Sequence, residues 1–135
     1  LMIRRPPRST QAKTSFPTRR SSDLCRRIGA DTLAVFTTET SDPGVTIRCR
    51  DFCPAVGTPE AAATGTTNRA LACYLVRNNL AGTGTGSPIV VAAQGVEMGR
   101  PSLIRTKVTM VDGLPARLYV GGVATRAAEG PVPPC

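Results

Sequence analysis

A single helical segment stands among strand-patterned segments, and this arrangement constrains the fold more than any other feature of the chain. Residues 67–79 are predicted to form the helix, because Thr66 or Thr67 can cap its start and two asparagines followed by Gly82 supply a stop. Its centre, ALACYLV at residues 70–76, carries seven consecutive uncharged residues. A helix that is apolar nearly all round is buried in a core.

The segments on either side of this helix have the composition and alternation of β-strands. VTIRCRDF, for example, alternates Val45, Ile47 and Cys49 with polar residues, which is the period of a half-buried strand. The turn signals SDPG and VDG favour hairpins between neighbouring segments. The predicted strands are residues 32–40, 45–52, 88–94, 102–110 and 114–122. We therefore predict an α+β domain in which a mixed, curved β-sheet wraps around one buried central helix.

The positive charge of the chain is concentrated at its start. Residues 1–27 hold eight basic residues and one acid, 8 − 1 = +7 of the total +8, which leaves +1 for residues 28–135. This segment lacks apolar periodicity, so we expect a disordered basic leader outside the folded domain of residues 28–135. Residues 1–24 resemble a translated sequencing adapter, and we expect an artefact; a genuine disordered tail that binds nucleic acid is the alternative. The domain itself has no charge excess that predicts a specific nucleic-acid partner.

Cysteine usage and hydropathy exclude several kinds of site. The five cysteines form no CxxC pair and the chain has no histidine, so no metal site is predicted. An odd number of cysteines without a secretory signal favours reduced thiols in a cytoplasmic protein. No apolar run approaches the roughly 20 residues that span a bilayer, so no membrane association is expected.

The residues just before the helix form a candidate anion site. Thr64 and Gly65 precede its first turn, where free backbone N–H groups and the positive end of the helix dipole favour a carboxylate or a phosphate. A glycine there lets a ligand approach the backbone closely. Any capped helix start shares these properties, so the pattern alone does not select a ligand.

Two stretches around the helix carry a resemblance to a known family. RCRDFCPAVGTPEAAATGTTNRALACYLVRNNL is similar to the segment RxFxPxxGxxEDPATGSANxALxxYL of the PhzF, or phenazine-biosynthesis-like, family. QGVEMGRPSLI at residues 94–104 resembles the QGxEMGRPSxI stretch of the same family, and LYVGGVA resembles its closing strand. The order and the spacing agree, and the resemblance covers nearly all of residues 30–130.

This resemblance implies the diaminopimelate-epimerase-like fold, in which two similar domains, each with a sheet around a central helix, enclose the active site. Family members isomerise or epimerise small carboxylic acids without a cofactor, by moving a proton between carbon atoms. A carboxylate of the first domain acts as the acid–base group, aided by the Asp of EDPATG. We therefore expect the C-terminal part of a phenazine-biosynthesis-type isomerase or epimerase, inactive by itself. Its partner would be a small-molecule carboxylate, and a homodimer is one option for the full-length protein.

Carried over position by position, the family motif assigns roles to residues of this chain. Those implied to bind the substrate are Glu60, Ala63, Thr64, Gly65, Thr66 and Asn68. The catalytic Asp of the motif falls on Ala61, and the Pro after it falls on Ala62. A methyl group cannot transfer a proton, so no catalytic residue of the motif is intact in this chain.

Other interpretations of these residues stay open. An alanine at position 61 would suit a non-catalytic relative that binds small acids. A racemase that uses two thiols would place a Cys at the helix start, where this chain has Thr66 and Thr67, so that class is disfavoured. A basic nucleic-acid-binding protein is a further rival, but it rests on the leader alone.

Three charged residues beside the motifs have two interpretations each. Arg50 either faces the cleft or is a solvated strand arginine, and the second role is the expected one. Glu97 and Arg100, in the turn EMGR, either lie near the cleft or form an ordinary exposed ion pair.

Overall fold

A computed structural model describes residues 2–4, 18–81, 87–124 and 130 of the chain. The helices are α1 (Thr18–Ile28) and α2 (Gly65–Arg77). The strands are β1 (Met2–Arg4), β2 (Leu33–Thr37), β3 (Ile47–Cys53), β4 (Thr58–Ala61), β5 (Ile89–Gln94), β6 (Ser102–Val111) and β7 (Leu114–Gly121). Each predicted strand and the predicted helix are present, with ends that differ by a few residues.

The strands form one mixed sheet of seven strands in the order β1-β2-β3-β5-β6-β7, with β4 paired to β3. Pairing is parallel between β1 and β2 and between β3 and β5, and antiparallel in the other pairs. Both predicted hairpins are confirmed, because β2 pairs antiparallel with β3 and β6 with β7. In the second hairpin, Asp112 (φ 50°) and Gly113 (φ 75°) have the successive positive φ angles that a tight two-residue loop requires.

Helix α2 lies in the connection between β4 and β5 and packs on one face of the sheet. Leu71 and Leu75 are fully buried in a cluster with inward-facing residues of β2, β3, β5 and β6. Those strand residues are Phe36, Ile47, Cys49, Val90, Ala92 and Val108. Ala70 and Tyr74, on the other side of α2, are exposed. The run ALACYLV predicted burial on nearly all sides, whereas burial is restricted to the face that meets the sheet.

Helix α1 covers the part of the opposite face of the sheet that β2 and β3 form. Cys25 of this helix is buried against Leu33 and Phe52, and Leu24 packs on the same cluster. Alternation along each strand puts Leu33 on the face away from Phe36 and α2. The sheet therefore has a helix on each face, and two separate apolar clusters hold them.

The first part of the chain differs from the expected disordered leader. Residues 2–4 form a strand parallel to β2, and residues 18–27 belong to α1. The helix was not predicted because its contact with the sheet rests on a few residues, while Asp23 and Arg26 on its exposed side form a solvated ion pair at 2.7 Å. The remainder of the leader, residues 1 and 5–17, lies outside the described residues.

Candidate active site at the start of the central helix

The start of α2 is open because its N-cap side chain is used elsewhere. Thr64 precedes the helix with extended backbone angles (φ −140°, ψ 109°), but its hydroxyl caps none of the helix N–H groups. The Thr64 Oγ1 instead accepts a hydrogen bond from Gln94 Nε2 at 3.0 Å. Gly65 and Thr66, the first residues of α2, are exposed. The N–H groups of a first helical turn lack intrahelical partners, so this helix start can receive an anion.

Gln94, at the end of β5, is the centre of a buried hydrogen-bond network behind this helix start. Its Nε2 also donates to the Ala61 carbonyl at 2.8 Å, and its Oε1 accepts from Asn68 Nδ2 at 2.7 Å. Asn68 Nδ2 donates in addition to the Thr64 carbonyl at 2.8 Å. Gln94 and Asn68 are both buried. The side-chain amides of Gln94 and Asn68 therefore fix the loop between β4 and α2. Asn68 lies on the buried side of the open helix start.

Gly95 brings the turn after β5 against the same loop. Its φ is +75°, and a Cβ built there would lie 2.7 Å from the Ala62 carbonyl oxygen and would clash with the Arg100 carbonyl oxygen. Both the backbone angle and the close approach require glycine. The loop that carries Ala61 and Ala62 is thus held by backbone packing as well as by Gln94.

Ala61, where the resemblance implies the catalytic Asp, lies opposite a buried carboxylate. Asp51 of β3 pairs with Ala34 on one side and with Ala61 on the other. Asp51 is fully buried; its Oδ2 accepts a hydrogen bond from the Thr67 hydroxyl at 2.8 Å, while Oδ1 has no partner among the described residues. Side chains directly opposite in antiparallel strands have Cβ atoms about 4.5–5.5 Å apart. A carboxylate is therefore present next to position 61, but below the surface.

An open cavity of about 560 Å³ borders this loop. Its lining consists of Ala62, Ala63, Arg100, Pro101 and Ser102. Of the substrate-binding residues implied by the resemblance, Ala63 belongs to this lining. Of the two interpretations of Glu97 and Arg100, the ion pair between them is wrong, because Glu97 pairs with Arg48 at 2.9 Å instead. The reason is the parallel pairing of β3 with β5, which brings Arg48 to the turn that follows β5.

Glu60 lies apart from the helix start. Its two carboxylate oxygens accept hydrogen bonds from Arg50 Nε at 2.8 Å and Arg50 Nη2 at 2.6 Å. The Arg50 guanidinium lies 4.8 Å from the ring centroid of Phe52, which belongs to the cluster under α1. Glu60 and Arg50 are therefore on the face of the sheet away from α2.

This pair corrects the role expected for Arg50. The side chain of Arg50 is 18% exposed and that of Glu60 11%, so Arg50 is not a solvated strand arginine. The hydrogen bond to Glu60 raises the pKa of the Arg50 guanidinium further above its ordinary value. Arg50 interacts with Glu60 of β4 and with the ring of Phe52, two residues further along β3. Strand alternation does not predict this pair of partners.

Two thiols near the site are held in the neutral form. Burial, and secondly the charge of Asp51, raise the pKa of Cys49 and of Cys53 from 9.0 to about 12. The thiolate is the form of cysteine that acts as a nucleophile or base. These environments disfavour thiol chemistry at either position.

We expect Cys49 and Cys53 to resist alkylation in the folded chain, while the half-buried Cys73 reacts first. Raising the pKa from 9.0 to about 12 lowers the thiolate fraction at pH 8 about a thousandfold, and this protection ends only as the pH approaches about 12. Timed iodoacetamide labelling at pH 8 with peptide mapping measures the three rates, and a urea-unfolded sample is the control in which all should react. Rapid labelling of Cys49 in the folded chain would contradict a buried, neutral thiol at this position.

The sequence matches one family along most of its length. The family described as phenazine biosynthesis-like protein matches residues 6–130. The chain belongs to this family. An uncharacterized isomerase of Clostridium acetobutylicum is 31% identical over 103 residues, which are 76% of this chain and 34% of that protein. This phenazine biosynthesis-like chain therefore spans about a third of the length of the curated relative that it matches.

Solved structures share the fold. A phenazine biosynthesis protein of the PhzF family from Bacillus anthracis superposes with a TM-score of 0.57 at 16% identity, over 79% of this chain and 40% of that one. A methylitaconate-delta-isomerase gives a TM-score of 0.55 at 11% identity, over 84% and 32%. A hydroxyproline epimerase from Agrobacterium vitis with bound trans-4-hydroxy-L-proline gives 0.54 at 10% identity, over 66% and 23%. The predicted diaminopimelate-epimerase-like α+β fold is confirmed.

Metal-ligand clusters and membrane-spanning helices are both absent from the described part of the chain. Its His, Cys, Asp and Glu residues form no group of three or more that could hold a metal ion. Neither of its helices is long and apolar enough to cross a membrane.

Proposed function

We propose that this chain contributes the substrate-binding half of a cofactor-independent isomerase or epimerase, which acts on a small carboxylic acid by proton transfer. The observation that carries the proposal is the uncapped start of α2. The Thr64 hydroxyl is turned to Gln94, and the backbone N–H groups of the exposed residues Gly65 and Thr66 are left for a substrate carboxylate. Membership of the phenazine biosynthesis-like family, with an isomerase as relative, supports the reaction class.

The chemistry of such a reaction gives each part of this site a task. Removing a proton next to a carboxylate builds negative charge on that carboxylate, and preorganised N–H donors stabilise the charge where it develops. Gln94 and Asn68 hold the N–H donors of the helix start in place from the buried side. Ala63 and Thr64 form the wall beside the donors, and Glu60 anchors β4 through Arg50.

We further propose that the chain alone does not turn over substrate. Proton transfer needs a positioned acid or base, and Ala61 stands where the resemblance implies one. The only carboxylate opposite it in the paired strands, Asp51, is fully buried. A non-catalytic protein that binds small acids through the same helix start is the second candidate, and Ala61 is the observation that favours it. The four described free thiols support a cytoplasmic setting.

Titration of the chain with acetate tests the binding step. We expect the backbone amide signals of Gly65 and Thr66 to move in NMR spectra, because the carboxylate hydrogen-bonds to those groups. Gly65→Pro removes one N–H group, and proline is tolerated at the first position of a helix after an extended residue such as Thr64. This change should weaken acetate binding about tenfold, the effect of one hydrogen bond to a charged group.

Gly65→Ala is the matched control for this titration. It adds a side chain but keeps the N–H group, and a Cβ at this position meets only Val120 Cγ1, at 3.9 Å. Acetate affinity should therefore stay within about twofold of the parent chain. Equal weakening of acetate binding by both substitutions, or amide shifts confined to other parts of the chain, would show that the helix start does not bind the carboxylate.

A further inference from the structure

A positively charged cavity wall adjoins the open start of α2. The cavity of about 560 Å³ is lined on one side by Ala62 and Ala63 of the loop before the helix, and on the other by Arg100, Pro101 and Ser102. Arg100 carries the only formal charge of this lining, and Ser102 its only hydroxyl. The two alanines add no carboxylate that could neutralise the guanidinium.

The guanidinium of Arg100 is available to a ligand. Within the described residues it takes part in no ion pair and no hydrogen bond, and its side chain is exposed. The neighbouring acid in the same turn, Glu97, is held by Arg48 at 2.9 Å. A free arginine fork matches the geometry of a carboxylate, which it binds with two parallel hydrogen bonds.

The backbone of Arg100 is fixed next to the loop that leads into α2. Its N–H group donates to the Gly95 carbonyl at 3.0 Å, and the left-handed Gly95 packs against both Arg100 and Ala62. Ala63, which lines the cavity, is bonded directly to the N-cap Thr64, and consecutive Cα atoms are about 3.8 Å apart. The cavity wall and the helix start are therefore immediate neighbours along the chain.

We propose that the cavity is a second carboxylate subsite and that Arg100 is its binding residue, so that the preferred ligand is a short dicarboxylic acid. One carboxylate occupies the helix start at Gly65 and Thr66, and the other forms a bidentate pair with Arg100, assisted by the Ser102 hydroxyl. This inference rests on the proposed function for the first carboxylate. It adds the substrate class, which the helix start alone does not determine.

Binding of matched acids to the full 135-residue chain tests this subsite. We expect succinate and glutarate to bind at least about tenfold more tightly than propionate and butyrate, through the additional charge-assisted hydrogen bonds. Arg100→Gln should abolish this advantage, while propionate should still shift the Gly65 amide signal. Arg105→Gln, an exposed arginine of β6, removes the same charge and should keep the advantage. NMR titration gives the affinities, and the signals of Ser102 and Ala63 report the location.

The outcomes separate this inference from the proposed function. If propionate shifts the Gly65 amide but succinate binds no better, or if Arg105→Gln weakens succinate as much as Arg100→Gln does, the second subsite is refuted and the helix site stands. If the advantage of succinate depends on Arg100 while Gly65→Pro changes nothing, the cavity binds acids but the helix start does not. If none of these acids perturbs either group, both proposals fail.

Discussion

Gly95→Ala should destabilise the chain more than the same change at any other glycine that the structure describes, by on the order of 3 kcal/mol. Two effects add at this position. The backbone has φ +75°, where residues other than glycine are strained, and the new Cβ would press on the carbonyl oxygens of Ala62 and Arg100. Neither oxygen belongs to a flexible side chain, so relief requires that the turn and the loop before α2 move apart. That movement would also pull Gln94 away from the Ala61 carbonyl.

Gly99→Ala separates the two effects. Gly99 also has a positive φ of +69°, but a Cβ there would meet nothing within 4 Å. Gly99→Ala should lower the free energy of unfolding only by the backbone strain, about 1–2 kcal/mol. Urea unfolding of the three chains measures the difference in midpoint at constant slope. Equal losses for Gly95→Ala and Gly99→Ala would mean that the close approach of the turn to the loop does not contribute to stability.

Local signals in the sequence were sufficient for the elements on the α2 side of the sheet. Alternation in VTIRCRDF placed Ile47 and Cys49 on one face, and they lie in the core beside Leu71 and Leu75. Turn residues predicted both hairpins. The cap signals at Thr66 or Thr67 and at residues 78–79 predicted α2 within two residues at each end, although the N-cap is Thr64. In each case one short stretch of chain carries the information.

Features that depend on distant partners were missed. α1 is held by Cys25 against Leu33 and Phe52, a contact between segments that gives no periodic signal in the basic leader. Gln94 lies in a stretch that resembles the family, but no rule of spacing joins a strand end to the N-cap Thr64, which lies 30 positions earlier. Its polar amide at the end of the apolar segment IVVAAQ was the one available sign.

The structure divides the site residues implied by the family resemblance into two groups, on opposite faces of the sheet. The linear motif does not show this division. Thr64, Gly65 and Thr66 stay together at the helix start, and Asn68 supports them from the buried side. Glu60 belongs to the opposite face of the sheet, because neighbouring strand residues point to opposite faces. A linear motif lists both faces as if they were one site.

Restoring a carboxylate at position 61 should produce the largest gain of activity. We consider a chimera in which this chain is joined to the complementary first domain of a phenazine biosynthesis-like isomerase. In that setting Ala61→Asp, combined with Ala62→Pro, is expected to raise kcat/KM about 10²- to 10⁴-fold, the usual contribution of a positioned acid or base. Ala61→Asn with the same proline is the control, because it has the same shape but cannot transfer a proton.

The row of β3 and β4 side chains predicts how the new carboxylate would behave. Ala61 pairs directly with the buried Asp51, so the introduced Asp would lie about 4.5–5.5 Å away, Cβ to Cβ. A like charge at that distance disfavours ionisation and raises the pKa of the introduced carboxyl group. The gain in rate should therefore follow a pH profile that differs from that of the Asn control, which has no such group to titrate.

We propose that the chain is inactive because position 61 lacks a carboxylate. The kcat/KM of this chimera on a family substrate, measured with Ala61 and with Ala61→Asp, tests this most directly. We expect residual turnover for the parent sequence and a gain of at least about a hundredfold for the Asp change, with no gain for Ala61→Asn. Gly65→Pro in the restored chimera should then lower kcat/KM again, since the substrate carboxylate loses a donor. Equal turnover before and after Ala61→Asp, in a chimera that binds the substrate, would contradict both the role of position 61 and the proposed inactivity of the chain.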